Sequence, residues 1–205
     1  MDGKNYVKKI LSTYNESVYR YLACHPIAHM PQIFKVYRGD RYLVVVEEYI
    51  EGSSLSEYLK EGTFEPFEAA RIVRDLCCIL NELHTLECPI IHRDIKPSNV
   101  MLTKSGEVVL LDMNVAKWYD SEEKEDTRLL GTKDYAAPEQ AGYGMKASSD
   151  KTDIYAVGIL LNVMLTGKLP KEKPAQGKLW DIIERCISLD ADTRYSADEL
   201  IERLD

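Results

Sequence analysis

The sequence predicts an α+β fold, strand-rich at its beginning and helical in much of the remainder, in one compact domain or two small lobes. Three observations carry this. Two runs of strand character, 6–11 and 31–50, fall in the first fifty residues, the second broken by Gly39-Asp40 between apolar alternations, a hairpin signal. From Pro66 to His84 the apolar residues Ala69, Ile72, Val73, Leu76, Ile79, Leu80 and Leu83 recur at helical spacing. Between apolar flanks at 89–91 and 100–102 lies a polar loop, His92-Arg93-Asp94-Ile95-Lys96-Pro97-Ser98-Asn99, the kind of segment a rigid scaffold holds open for chemistry.

At 205 residues the chain has ample length for a core. A formal charge of −8 and a pI near 5.1 argue against general binding to nucleic acid or to a membrane surface. No apolar run approaches the roughly 18 residues of a membrane span and no signal peptide opens the sequence, so the expected compartment is the cytoplasm. The five cysteines, Cys24, Cys77, Cys78, Cys88 and Cys186, lack metal-ligand spacing and read as reduced, mostly buried thiols.

Taken in order, residues 6–11 form a short strand whose alternation puts Lys9 on the face of Val7 and Leu11 and turns Lys8 outward. Residues 13–24 form a helix capped by Asn15 or Thr13, with Glu16 as a first-turn acid suited to the helix dipole. After the hairpin, Gly52 marks a turn and a serine cap opens a short helix. The long amphipathic helix follows, with His84 as its cap. Past the polar loop, Val108-Val109-Leu110-Leu111 is a strand that delivers Asp112 at its end. Asp94 to accept a hydroxyl proton, Asp112 to hold a divalent metal and Asn99 as second metal ligand make the set that phosphoryl transfer requires. A charged segment runs from 117 to 131, a strongly apolar helix starts at Asp150, a Lys/Pro-rich connection spans 168–177, and a last helix covers Ala197–Leu204.

The run from His92 to Asn99 resembles the catalytic loop of the eukaryotic-type protein kinases, in the serine/threonine form of the bacterial branch. The likeness covers nearly the whole chain and is strongest from His92 to Arg194. It implies a bilobal kinase fold, with a partly missing β-rich lobe at 1–51 and an α-rich lobe at 52–205. It also implies transfer of the ATP γ-phosphoryl group, with Mg²⁺, to Ser/Thr hydroxyls of protein substrates. In that pattern Asp94 is the catalytic base and Lys96 reaches the γ-phosphate, while Asn99 and Asp112 hold Mg²⁺. Thr132 would hydrogen-bond Asp94 and Lys96. Lys9 would contact the α- and β-phosphates, paired with Glu16 on the first helix. Backbone groups of Glu48 and Ile50 would bind the adenine.

The same resemblance makes His92 a structural residue beneath the turn Asp112-Met113-Asn114, where Met113 fills an apolar slot. Asn114 stands where the family usually has glycine and is expected to tolerate positive φ. Asp153 is implied to support the loop backbone and Arg194 to pair with Glu139. Arg93 is implied to meet a phosphate on the 117–131 segment, at Thr127 first and Ser121 second. Two departures stand out. Glu47 occupies the gatekeeper place, usually apolar or Thr, and needs a partner that the sequence does not name. No Gly-x-Gly-x-x-Gly loop precedes Lys9, so phosphate positioning is expected to rest on Lys9, Lys96 and metal. That departure supports an alternative, a pseudokinase or truncated kinase acting as a nucleotide-binding or scaffolding module. A small-molecule kinase fits less well, because 131–139 looks like a platform for protein substrates. The sequence names no substrate and no oligomeric state.

Overall fold

The computed structural model describes residues 5–119, 132–140 and 148–205. The first part is a three-stranded antiparallel sheet of β1 (Tyr6–Leu11), β2 (Ile33–Arg38) and β3 (Leu43–Glu48), in the order β1-β3-β2, with α1 (Glu16–Cys24) packed against it. Period-two alternation decides its faces. Leu43, Val45 and Glu47 of β3 are buried, Val44 and Val46 only partly so, and in β1 the exposed Tyr6, Lys8 and Ile10 alternate with Val7, Lys9 and Leu11. Asn15 is the cap of α1 and accepts from the Val18 N–H at 3.5 Å. The predicted hairpin joins β2 to β3, closed by the Gly39 N–H on the Tyr42 carbonyl at 2.8 Å.

The second part opens with β4 (Gly52–Ser54) and α2 (Leu55–Glu61), whose start is held by the Ser54 N–H donating to Glu57 at 2.7 Å. The helix α3 (Pro66–His84) begins on a proline, which costs nothing where no intrahelical partner exists for the N–H. Its apolar stripe is buried as the spacing predicts, Cys77 included. Next come β5 (Ile90–Ile91), β6 (Val100–Thr103), β7 (Val108–Leu110) and β8 (Lys117–Trp118); β6 joins β4 to β7 in one small sheet, and β5 pairs with β8. The remaining helices are α4 (Asp150–Thr166), α5 (Lys178–Cys186) and α6 (Ala197–Leu204). Among the described residues no helix is long and apolar enough to cross a membrane.

The helix α4 is the pillar of this part. It is apolar nearly all round, and such a helix is stable only when covered on every side. Gly158 lets α5 come close: a Cβ there would lie 2.6 Å from the Cys186 Cβ and 2.9 Å from the Ile187 Cγ2. Near the start of α4, Asp153 is fully buried, with Oδ1 accepting from the Arg93 N–H at 2.7 Å and Oδ2 from the His92 N–H at 2.9 Å. His84 completes the set, its Nε2 2.9 Å from Asp153 Oδ2. The predicted cap role of His84 is therefore wrong: the ring turns inward because a buried carboxylate offers it a better partner than solvated helix-end carbonyls do. Burial pushes the Asp153 carboxyl up, but the hydrogen bond and field of His84 and the Arg93 amide outweigh that and hold it below the usual 3.8. The buried Arg194 forks onto Glu139, Nη1 to Oε1 at 2.7 Å and Nη2 to Oε2 at 3.0 Å, and also donates to the Lys151 carbonyl at 2.9 Å. The cysteine expectation needs correction too, because Cys24, Cys78 and Cys88 are exposed and only Cys77 and Cys186 are buried.

Two stability outcomes follow from α4. Gly158→Ala should cost about 1–3 kcal/mol, because backbone and packed side chains must give way, and urea unfolding would read it as a lower midpoint. Asp153→Asn should cost about 3–5 kcal/mol at neutral pH, since one carbonyl oxygen cannot serve both amides and His84. A carboxyl held below its unfolded value stabilises above pH 3.8, and the gain fades as pH falls through the lowered folded value. The variant should therefore lack that part of the acid slope when unfolding is followed from pH 7 down to pH 3.

Candidate active site

The polar loop runs from β5 into β6 through a short 3₁₀ turn, Pro97–Asn99, in which the Asn99 N–H returns to the Lys96 carbonyl at 3.0 Å. Its backbone is tied at several points. Asp153 takes the two amides at its start, Gln140 Nε2 donates to the Arg93 carbonyl at 2.6 Å, and the Leu111 N–H donates to the Asn99 carbonyl at 2.8 Å. The Asp94 N–H donates to His92 Nδ1 at 3.3 Å, so His92 Nε2 is the protonated nitrogen and donates to the Leu111 carbonyl at 3.0 Å. His92 thus joins the loop to the end of β7, the structural role expected for it. These ties hold Arg93 at φ +70°, a left-handed conformation that costs a non-glycine residue about 1–2 kcal/mol. The Arg93 side chain is buried, its Nη1 3.5 Å from the Val115 carbonyl. Thr127 and Ser121, the expected phosphate sites, lie outside the described residues.

Asp94 is the most heavily bonded side chain here. Oδ1 accepts from the Thr132 N–H at 3.1 Å and the Thr132 hydroxyl at 2.8 Å. Oδ2 accepts from Lys96 Nζ at 2.6 Å and Asn99 Nδ2 at 3.0 Å. Lys96 also donates to Thr132 Oγ1 at 2.8 Å, closing a ring of three side chains, and Asn99 Nδ2 donates to the Asp94 carbonyl at 2.9 Å. A carboxylate has about four lone-pair sites, and all are taken. Any further partner of Asp94 must therefore replace one of these donors.

Asp112 follows β7 at φ +69°. The positive φ expected at Asn114 is found here instead, two residues earlier, because the chain reverses at the carboxylate. The Asn114 Oδ1 accepts the Tyr19 hydroxyl at 2.7 Å and so ties α1 to the turn, while Met113 is 3% exposed and fills the apolar slot. Asp112 Oδ1 is buried with no hydrogen-bond partner among the described residues, and Lys9 Nζ stands 3.8 Å away. A buried, unpaired carboxylate oxygen is costly unless a cation meets it. One such oxygen suits a hard cation that keeps other ligands from water and phosphate, as Mg²⁺ does.

Lys9 and Glu16 do not meet. Lys9 Nζ lies 2.6 Å from Glu47 Oε1, which supplies the partner that the gatekeeper position required. Burial pushes the Glu47 carboxyl up, and Lys9 pulls it part of the way back. Glu16 instead accepts from Arg20 at 2.8 Å, one turn along α1, and from Arg38 Nη1 at 3.1 Å at the end of β2. Its first-turn position places it over guanidinium groups at the surface, not over the inward face of β1. Glu48 closes β3 with its N–H committed to the Gln32 carbonyl at 2.9 Å, and Ile50 lies in the connection to β4. Sequence reasoning missed Gln140, Tyr19 and the bond from Trp118 Nε1 to Ser17 Oγ at 2.8 Å. Tyr19 and Asn114 are 95 positions apart, and nothing local marks them as partners.

With that geometry in hand, the likeness to known proteins can be stated. A family model described as the protein kinase domain matches residues 7–179. Over 145 residues, 68% of this chain and 22% of the relative, it is 35% identical to the serine/threonine-protein kinase PrkC of Bacillus subtilis. It is 37% identical over 132 residues to the probable serine/threonine-protein kinase PknB of Corynebacterium glutamicum, covering 62% of this chain and 20% of that one. The plant kinase PEPKR2 of Arabidopsis thaliana is 29% identical over 199 residues, 94% of this chain and 40% of its own length. The chain thus spans about a fifth of the two bacterial relatives. Since the family model spans most of the sequence and the ring around Asp94 lies within it, the chain belongs to the protein kinase family.

Proposed function

We propose that the chain is a protein serine/threonine kinase that transfers the γ-phosphoryl group of ATP to a side-chain hydroxyl. The observation that carries this is the ring of Asp94, Lys96 and Thr132 braced by Asn99, with Asp112 close to Lys9. A purely structural loop has no need to concentrate a carboxylate, a lysine, an asparagine amide and a threonine hydroxyl in one hydrogen-bonded ring. The names of the bacterial relatives support the Ser/Thr assignment.

In this reading residues 1–51 form the nucleotide-covering lobe and 52–205 the substrate lobe. Backbone groups of Glu48 and Ile50 take the adenine, and Lys9 takes the α- and β-phosphates. Asn99 and Asp112 would hold Mg²⁺, which when bound screens the phosphate charge. Asp94 aligns the acceptor hydroxyl and takes its proton as the oxygen bonds to the γ-phosphorus and the bond to the β–γ bridging oxygen breaks, leaving ADP. Lys96 leaves Asp94 for the γ-phosphate and thereby frees the lone pair that the hydroxyl proton needs. Thr132 holds the other carboxylate oxygen throughout, so the base keeps its plane while one partner changes.

Asp94→Asn should lower phosphate transfer to a generic basic protein by about 10²–10⁴-fold, with ATP binding retained, in a radiolabel transfer assay. Transfer that survives in this variant would refute the assignment of the base. Asp112→Asn should separate stability from function. Removing a charge with an orphaned oxygen should leave the nucleotide-free melting temperature unchanged or higher, while the stabilisation produced by Mg-ATP disappears. Calorimetry with and without Mg-ATP reads both.

A further inference from the structure

Lys9 and Glu47 sit on adjacent strands. In the β1–β3 register Val7 faces Glu47 and Lys9 faces Val45, so the two side chains are diagonal neighbours on one face, a separation that long side chains bridge. Their charged atoms are 2.6 Å apart, and Glu47 is 6% exposed. A buried carboxylate in that place is costly by itself, so the sheet holds lysine and acid together as a unit. Asp112 Oδ1 stands 3.8 Å from the same ammonium.

Both carboxylate oxygens of Glu16 are already engaged. Oε1 accepts from Arg20 Nε and Nη2, each at 2.8 Å, and Oε2 accepts from Arg38 Nη1 at 3.1 Å. The helix carrying Glu16 is fixed as well, through Tyr19 to Asn114 and through Ser17 to Trp118. Swinging Glu16 to Lys9 would break ties on two sides and leave Glu47 buried without its cation.

We propose that Glu47 is the positioning residue for Lys9, so that an acid of the neighbouring strand, and not one of helix α1, sets the amine that meets the nucleotide phosphates. This rests on the reading of Lys9 as a phosphate-contacting lysine.

The test begins without nucleotide or metal, as a double-mutant cycle on urea unfolding of the full chain. Glu47→Gln, Lys9→Met and the double variant should be strongly non-additive, the double variant having a midpoint no lower than Glu47→Gln alone. The parallel cycle of Glu16→Gln with Lys9→Met should be additive. Additivity in the first cycle, or coupling in the second, overturns the pairing whether or not the chain transfers phosphate. Steady-state kinetics then reads the role. Glu47→Gln should raise KM for Mg-ATP about tenfold with a smaller change in kcat, and Glu16→Gln should leave both within about twofold. Loss of activity in Glu16→Gln with an unchanged KM in Glu47→Gln overturns the role of Glu47. If the unsubstituted chain neither transfers phosphate nor binds ATP, the kinase reading fails and the positioning role falls with it, while the cycle still reports whether the pair exists.

Discussion

The carboxylate of Asp153 is the fixed point from which the active loop hangs. It is fully buried on a helix that is itself buried, and both its oxygens are spent on backbone amides of His92 and Arg93, with His84 behind them. That arrangement converts the rigidity of the core into the position of the backbone immediately before Asp94. It also sustains the left-handed turn at Arg93, which would relax without such anchoring. The second carboxylate of the site is placed by a different route, through β7 and the contact of His92 with Leu111. The two acids are therefore set against each other by one histidine ring and one strand, with little slack in either.

Around these anchors the charge economy is local. The chain is acidic overall, yet each lysine in the site touches an acid of the same site: Lys9 meets Glu47 and Asp112, and Lys96 meets Asp94. These acids hold the ammonium groups in place. In the proposed reading, exchange of such partners for phosphate oxygens would use donors that are already ordered. The saturated state of Asp94 belongs to the same logic: its donors hold it in plane until one is drawn off.

Much of this was legible in the sequence because the informative signals were local. Helix α3 could be bounded from its proline and its apolar spacing, the hairpin from Gly39-Asp40, and the ring of Asp94, Lys96, Asn99 and Thr132 from the resemblance of 92–99 and its downstream landmarks. The failures share a physical cause. Glu16 was assigned by counting along the chain, whereas partner choice depended on the face each residue occupied in the folded sheet. Glu47 and Lys9 both lie on inward faces by simple alternation, so the pair became visible once the β1–β3 register was known. His84 and Asn114 were misread because their partners, Asp153 and Tyr19, are 69 and 95 positions distant. Of the small sheet only β7 was legible, from its apolar run, while β4 and β6 were not, because strands this short carry almost no periodic signal.

The distribution of cysteines gives the molecule an internal gauge of its own integrity. Cys77 in α3 and Cys186 at the end of α5 are buried, Cys77 with its thiol held well above the ordinary value and Cys186 with its thiol pushed up to about 12, so neither offers thiolate to a reagent in the folded chain. Cys24, Cys78 and Cys88 are open to solvent. An alkylating reagent would therefore count three sulfurs on the native molecule at once and reach the last two only as α3 and α5 come away from the α4 pillar. The lag between the two populations is a clock for the opening of the larger lobe, readable by intact mass without any label or substitution.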